Sequence, residues 1–327
     1  MSRSSPGYGI ILLVIAIAVV PLLFASGYQM FQLTMVVIYA LSVLGKNLVT
    51  GYGGQVSLGQ GAFFAVGAYT AAILIDQFDV PYWATLPVAA ITSGIVGLML
   101  GLPALRLGGL YLALVTFALA IAVPQLLKYK AFEDWTGGVQ GIVIIKPDAP
   151  FGLALNPDQW IYLFSLVVAV VFFFLASNLV NSRIGRALKA IRDQPLAAEA
   201  MGVELARFKT ITFGVGAMFT GVGGALSAIA VGFVSPDSFT IALSLTLFVG
   251  MVIGGASSIS GAIYGALFIQ FMPNLAEEIF KAAPGAIYGI ILIAFMFFAP
   301  GGIAAVIATQ MRKFRAARAV RTTGAAN

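Results

Sequence analysis

The sequence predicts an all-α protein: a polytopic membrane helix bundle of about eight to ten transmembrane segments, one of them discontinuous or re-entrant and rich in glycine. Three observations carry this. Of 327 residues, 60% are hydrophobic and 9% charged, where a water-soluble domain carries about 25% charged residues. The few charges cut the chain into apolar runs near the roughly 20 residues that a spanning helix needs. The cations also collect on one side of those runs.

The runs follow in order. Residues 4–45 hold two spans, broken near Ser26-Gly27-Tyr28-Gln29. The first follows Met1-Ser2-Arg3, as a signal peptide would, and Ala25-Ser26-Gly27 is small enough for cleavage. The apolar run 8–24 is longer than a typical signal core, and it is read as a retained span. Charge-free runs at 47–75, 80–105, 107–127, 159–182 and 210–236 supply one span each. Residues 238–276 supply two, with a break near Ser257-Ser258-Ile259-Ser260, and 282–311 the last. The break at Ser257 and the segment after Gly51 are read as either re-entrant or part of full crossings. The chain is read as one membrane domain, 1–311, with a basic tail at 312–327.

Placing the 183–209 loop in the cytoplasm fixes the orientation. The inside then receives Arg3, Lys46, Arg106, six cations of that loop and five of the tail. Lys128, Lys130, Lys146 and Lys281 fall outside with nine of the 12 acids. Both termini are therefore expected in the cytoplasm. The net charge of +6 reads as a topogenic bias and not as a nucleic-acid footprint. The tail is read as a positive-inside anchor, with contact to anionic membrane lipid as the alternative.

Composition narrows the chemistry. There is no Cys and no His, which removes thiol chemistry, the commonest metal ligand and the commonest general base. The charge-free runs contain no acid of the kind that proton- or sodium-coupled carriers place within a span. A phosphate loop of the GxxxxGK[ST] type is also missing. No catalytic residue, metal or cofactor is assigned. Uphill movement of a solute would need energy from another chain.

Two segments stand out. Residues 51–61 hold five glycines and three polar side chains inside an apolar run, although each glycine costs a helix about 1 kcal/mol against alanine. One reading is a discontinuous helix lining a permeation path, with Gly51, Gly54, Gln55, Ser57, Gly59 and Gln60 as candidates. The other is a cytoplasmic turn that permits close packing. Lys46, just before it, reads as a flank residue snorkelling to the surface. In 183–209, Ile184, Leu188 and Ile191 recur at helical spacing, with Arg186, Lys189 and Arg192 on other faces. Pro195 starts a second short helix, 195–201, and Gly202 stops it. Its Leu196, Ala197, Ala198, Ala200 and Met201 form an apolar patch, fit either to dock into a groove or to lie on the membrane surface. Glycine pairs four apart, at 97/101, 250/254, 261/265 and 285/289, indicate close helix packing, within the chain or against a partner.

These motifs together resemble a known family. Gly51-Tyr52-Gly53-Gly54-Gln55-Val56-Ser57-Leu58-Gly59-Gln60-Gly61-Ala62-Phe63-Phe64 is similar to the signature of branched-chain amino acid ABC transporter permeases of the M type. So are Ala104-Leu105-Arg106-Leu107-Gly108-Gly109-Leu110-Tyr111-Leu112-Ala113 and Thr136-Gly137-Gly138. The run from Gly185 to Gly202 resembles the family's cytoplasmic coupling loop, and Gly232-Phe233-Val234-Ser235-Pro236 continues the match. Gly59-Gln60-Gly61 stands where many members carry a Gly-His pair, and the importer Glu-Ala-Ala pattern is reduced to Ala198-Glu199-Ala200.

The resemblance implies a multi-pass subunit of a bacterial cytoplasmic (inner) membrane importer. Its partners would be a homologous second permease, two cytoplasmic ATPase subunits and a periplasmic or extracellular solute-binding protein. ATP-driven alternating access would move branched-chain or related amino acids. Arg186, Arg192, Pro195, Leu196, Glu199, Met201 and Gly202 would couple to an ATPase, and the loop 128–158 would meet the binding protein. The alternatives are a urea or short-amide ABC permease and, from another class, an ion-coupled secondary carrier.

Overall fold

The computed structural model describes residues 21, 26–104, 109–152, 155–279, 284–299 and 301–311. The expected first span (apart from Pro21), Arg106, Lys281 and the basic tail lie outside the described residues. The chain is a nearly all-α polytopic bundle. Among the described residues, seven helices are long and apolar enough to cross a membrane.

The helix α1 (Gly27–Lys46) starts at Ser26. Ser26 Oγ accepts from Gln29 N at 3.4 Å while Gln29 Oε1 accepts from Ser26 N at 2.9 Å. This reciprocal cap explains the sharp break expected there. The helix continues without interruption into a π-turn, Asn47–Tyr52. Next come α2 (Gln60–Phe78), α3 (Tyr82–Ala104) and α4 (Leu110–Leu127). A long loop then carries the short helix α5 (Glu133–Thr136) and the strand β1 (Ile142–Val143). After it come α6 (Pro157–Asn181), α7 (Arg183–Asp193), α8 (Pro195–Ala200) and α9 (Leu205–Val231). The strand β2 (Phe233–Val234) precedes α10 (Ile241–Gly254), α11 (Ile259–Ile279) and α12 (Pro284–Phe298). The helix α13 (Gly302–Met311) ends the described chain.

The core forms around α9, which packs on α1, α2 and α3. Three of the glycine pairs serve this internal packing. A Cβ on Gly254 would overlap the Gly261 carbonyl, and one on Gly265 would overlap that of Gly250. The pairs of α10 and α11 therefore interlock with each other. Gly97 and Gly101 face α9, at Ala217 and Thr210. Among the described residues, by contrast, a Cβ on Gly289 would meet nothing within 4 Å beyond its own helix.

The loops gather at two ends. At one, β1 and β2 pair antiparallel, Ile142 with Val234 and Val143 with Phe233. This small ladder was not expected, because each strand is only two residues long and shows no alternating pattern by itself. It forms because two loops meet there and their backbone groups satisfy one another. Lys128 pairs with Asp237 at 2.5 Å, and Lys146 with Asp158 at 2.9 Å. The opposite end carries the α7–α8 hairpin, the segment after Tyr52 and the break between α10 and α11.

Candidate functional site

The hairpin end brings both sequence-singled segments together. Ser182 opens α7, its Oγ accepting from Ile184 N at 3.1 Å and Gly185 N at 3.4 Å. The helix buries Gly185, Leu188 and Ile191. Ile184 is 39% exposed because it lies in the first turn, at the rim of that contact. Gln194 is extended, Pro195 occupies the first turn of α8, and Gly202 takes φ +84. The short helix closes at Ala200, one residue before the expected end. It buries Ala198 and leaves Leu196 at 82% and Met201 at 85% exposure. Arg186 is also exposed, with Nη1 on the Asn181 carbonyl at 3.3 Å, and Glu199 faces outward.

The glycine-rich segment breaks the helix over 53–59, a shorter stretch than the expected 51–61. Gly51 and Tyr52 stay within the π-turn, and Gly59 is the N-cap of α2, which begins at Gln60. The broken stretch folds back into the bundle. Gln60 Nε2 donates to Thr220 Oγ1 at 2.9 Å, and Thr220 Oγ1 reaches the Ser42 carbonyl at 3.4 Å. Ser42 precedes Tyr52 by ten residues, so at 1.5 Å per residue α2 starts roughly 15 Å inside the bundle.

Non-helical backbone at such depth must find partners within the protein. Here it does. Gly53, Gly54 and Gln55 N–H groups donate to the carbonyls of Leu48, Thr50 and Val49. Thr50 Oγ1 donates to the Gln55 carbonyl at 2.9 Å. Thr116 Oγ1 accepts from Leu58 N at 2.8 Å, and Ser57 Oγ accepts from Gly59 N at 3.4 Å. Ser244 Oγ accepts from Gly61 N at 2.8 Å. Gln55 Nε2 reaches the Lys209 carbonyl at 3.2 Å. Among the described residues, the buried amide oxygens of Gln55 and Gln60 have no hydrogen-bond partner.

Lys46 corrects an expectation. It is completely buried, and no part of it snorkels to the surface. Its ammonium donates to the Ser57 carbonyl and lies 5.0 Å from the centre of the Phe248 ring. The segment 53–59 folds alongside α1, which encloses the lysine and also supplies the acceptor it needs. Sequence reasoning also passed over Asn47, Thr116, Thr220 and Ser244, and it marked Ser257 only as a break. Their single hydroxyls and amide in apolar runs were the available signal, but none of them names its partner.

Arg192 joins the two segments. Its Nη1 reaches the Gly51 carbonyl at 3.2 Å and Ser257 Oγ at 2.6 Å. Gly54, at φ +67, packs on the same side chain. A small cleft of about 100 Å³ lies between them, lined by Gly53, Gln55, Val56, Ile191, Arg192 and Pro195 among others. Among the described residues, no three His, Cys, Asp or Glu stand together.

Comparison with known proteins bears on this arrangement. A family described as "Branched-chain amino acid transport system / permease component" matches residues 29–323. The chain is 32% identical over 302 residues to the high-affinity branched-chain amino acid transport system permease protein LivM of Salmonella typhimurium, covering 85% of this chain and 70% of that one. The Escherichia coli LivM protein matches with the same identity and coverage. A probable branched-chain amino acid transport permease protein, LivH of Methanocaldococcus jannaschii, is 26% identical over 76% of this chain and 82% of its own. No solved structure matches.

Proposed function

The chain belongs to the branched-chain amino acid transport system permease family, and on that premise we propose that it is the membrane-spanning subunit of an ATP-driven importer of branched-chain or related amino acids. The observation that carries the reading is the hairpin. A short helix projects two large apolar side chains into solvent, Leu196 and Met201, at the end of the bundle where a non-helical segment enters it. Isolated exposed apolar residues are common, but a pair flanking a buried Ala198 on one short helix fits its insertion into a groove.

In this mechanism the hairpin end faces the cytoplasm and the ladder end the exterior. The 183–209 loop holds six cations, in keeping with the positive-inside bias. Two ATPase subunits work on this permease and a homologous second one, with Pro195, Leu196, Glu199, Met201 and Gly202 forming the contact and Arg186 beside it. A solute-binding protein delivers cargo at the loop 128–158. Gly51, Gly54, Gln55, Ser57, Gly59 and Gln60 line the path, where backbone dipoles and the unpartnered Gln55 and Gln60 amide oxygens meet a polar solute. The membrane unit is 1–311, and the tail 312–327 anchors it.

The test is reconstitution with the second permease, both ATPases and the binding protein in vesicles. Leucine uptake that needs ATP is expected, with no response to an ion gradient alone. Uptake of urea in place of leucine would overturn the solute class, and uptake by this subunit alone would overturn the mechanism. Leu196→Asp should weaken ATPase co-purification by a factor of roughly ten or more, because a buried leucine is worth about 1.5–3 kcal/mol.

A further inference from the structure

Three separate stretches of chain meet around one guanidinium. Arg192 closes the last turn of α7. Asp193 Oδ1 holds one side of it, at 2.8 Å from Nε and 2.7 Å from Nη2. The remaining nitrogen, Nη1, points into the protein and reaches the Gly51 carbonyl at 3.2 Å and Ser257 Oγ at 2.6 Å. Ser257 Oγ donates onward to the same Gly51 carbonyl at 2.5 Å. Arg192, Gly51 and Ser257 thus form a closed triangle.

The triangle sits at both non-helical breaks. Gly51 opens onto the 53–59 segment. Ser257 lies in the break between α10 and α11, and it is a non-glycine residue at φ +63, a conformation that needs support from its surroundings. Asn47 gives part of that support. Its Oδ1 accepts from Ser257 N at 2.7 Å, and its Nδ2 donates to the carbonyls of Ser258 at 2.8 Å and Gly255 at 3.3 Å. The π-turn that continues α1, through Asn47, and the α7 helix, through Arg192, therefore grip the same break from two sides.

We propose that Arg192 is a positioning residue that ties the α7–α8 hairpin to both breaks, so that a displacement of the hairpin moves the 53–59 and 255–258 segments together. The inference rests on the importer reading and deepens it. Arg192 does its work facing inward, while Leu196 and Met201 face outward. The planar guanidinium fork suits the task because it holds Asp193 and two further acceptors in fixed directions, which a lysine ammonium cannot reproduce. Gly54 adds close contact, since a Cβ there would stand 2.9 Å from Arg192 Cγ.

The chain has no cysteine, so single cysteines can carry a spin label at Ala190 on α7, at Val56 and at Ala256. In the complete reconstituted complex, ATP should change the label environment at all three positions. In the Arg192→Ala background the response at 190 should persist, the responses at 56 and 256 should vanish, and solute moved per ATP should fall roughly tenfold, within the usual range of coupling energies. Arg192→Lys should not restore them. Persisting responses at 56 and 256 would overturn the proposal. So would loss at 190, which would place Arg192 at the ATPase contact. If Arg192→Ala does not assemble, Ser257→Ala decides, and an unchanged response at 256 overturns the link. A wild-type complex silent at every position would refute the importer reading itself.

Discussion

At the scale of single residues, Lys46 is the least expected feature. A buried ammonium is costly to desolvate, and here a carbonyl and an aromatic face receive it. Replacing it with methionine removes that cost but leaves the Ser57 carbonyl buried without its donor, a loss of about 1–3 kcal/mol. The two effects oppose each other. Lys46→Met should therefore change the stability of the purified protein little while lowering uptake roughly tenfold, about 1.4 kcal/mol in activation terms, because the 53–59 segment loses its anchor. Thermal unfolding in detergent beside transport assays would check both halves. Gly59 is constrained by space, since a Cβ there would lie 2.9 Å from the Thr116 carbonyl oxygen. Gly59→Val should insert in the membrane and fail to transport, and normal uptake by that variant would remove 53–59 from the path.

At the scale of elements, the interlocked glycines of α10 and α11 replace a hydrophobic driving force that lipid does not provide. Because the two backbones touch, any side chain at Gly254 must push the helices apart. Gly254→Val should lower stability by at least the 1–3 kcal/mol typical of overpacking, read as a lower melting temperature. The same change at Gly289, where a Cβ meets nothing within 4 Å among the described residues beyond its own helix, should be far milder. Element identity was legible in the sequence wherever composition alone sets it. Among the described residues the apolar runs became helices, and Pro195 and Gly202 bracket α8. The β1–β2 ladder was not legible, because its register depends on pairing residues 90 and 92 positions apart across two loops.

At the scale of the whole molecule, the alternating spans predict sidedness. Ile145 is 89% exposed at the ladder end, and Leu196 is 82% exposed at the hairpin end. With no native cysteine, Ile145→Cys should react with a membrane-impermeant thiol reagent from outside intact cells. Leu196→Cys should react only after the membrane is opened. Reversed labelling would invert the orientation and separate the hairpin from any cytoplasmic motor. The candidate site shows a similar division. The residues Gly51, Gly54, Gln55, Ser57, Gly59 and Gln60 were marked by an excess of glycine and polarity, and Arg186 to Gly202 by charge and helical spacing. That the two groups adjoin was not marked anywhere along the chain.

What the sequence determined by itself was local or statistical: the number of apolar runs, the side on which cations gather, and the places where glycine and proline interrupt a helix. Each depends on residues close together in the chain or on totals over it. Only the tertiary structure decided that 53–59 turns back roughly 15 Å into the bundle, that Lys46 is enclosed, and that Arg192 meets Gly51 and Ser257. The physical reason is the bundle's dryness. A broken backbone away from water must take its hydrogen bonds from whichever groups the packing brings near, and those groups lie as far as 211 residues away in the chain.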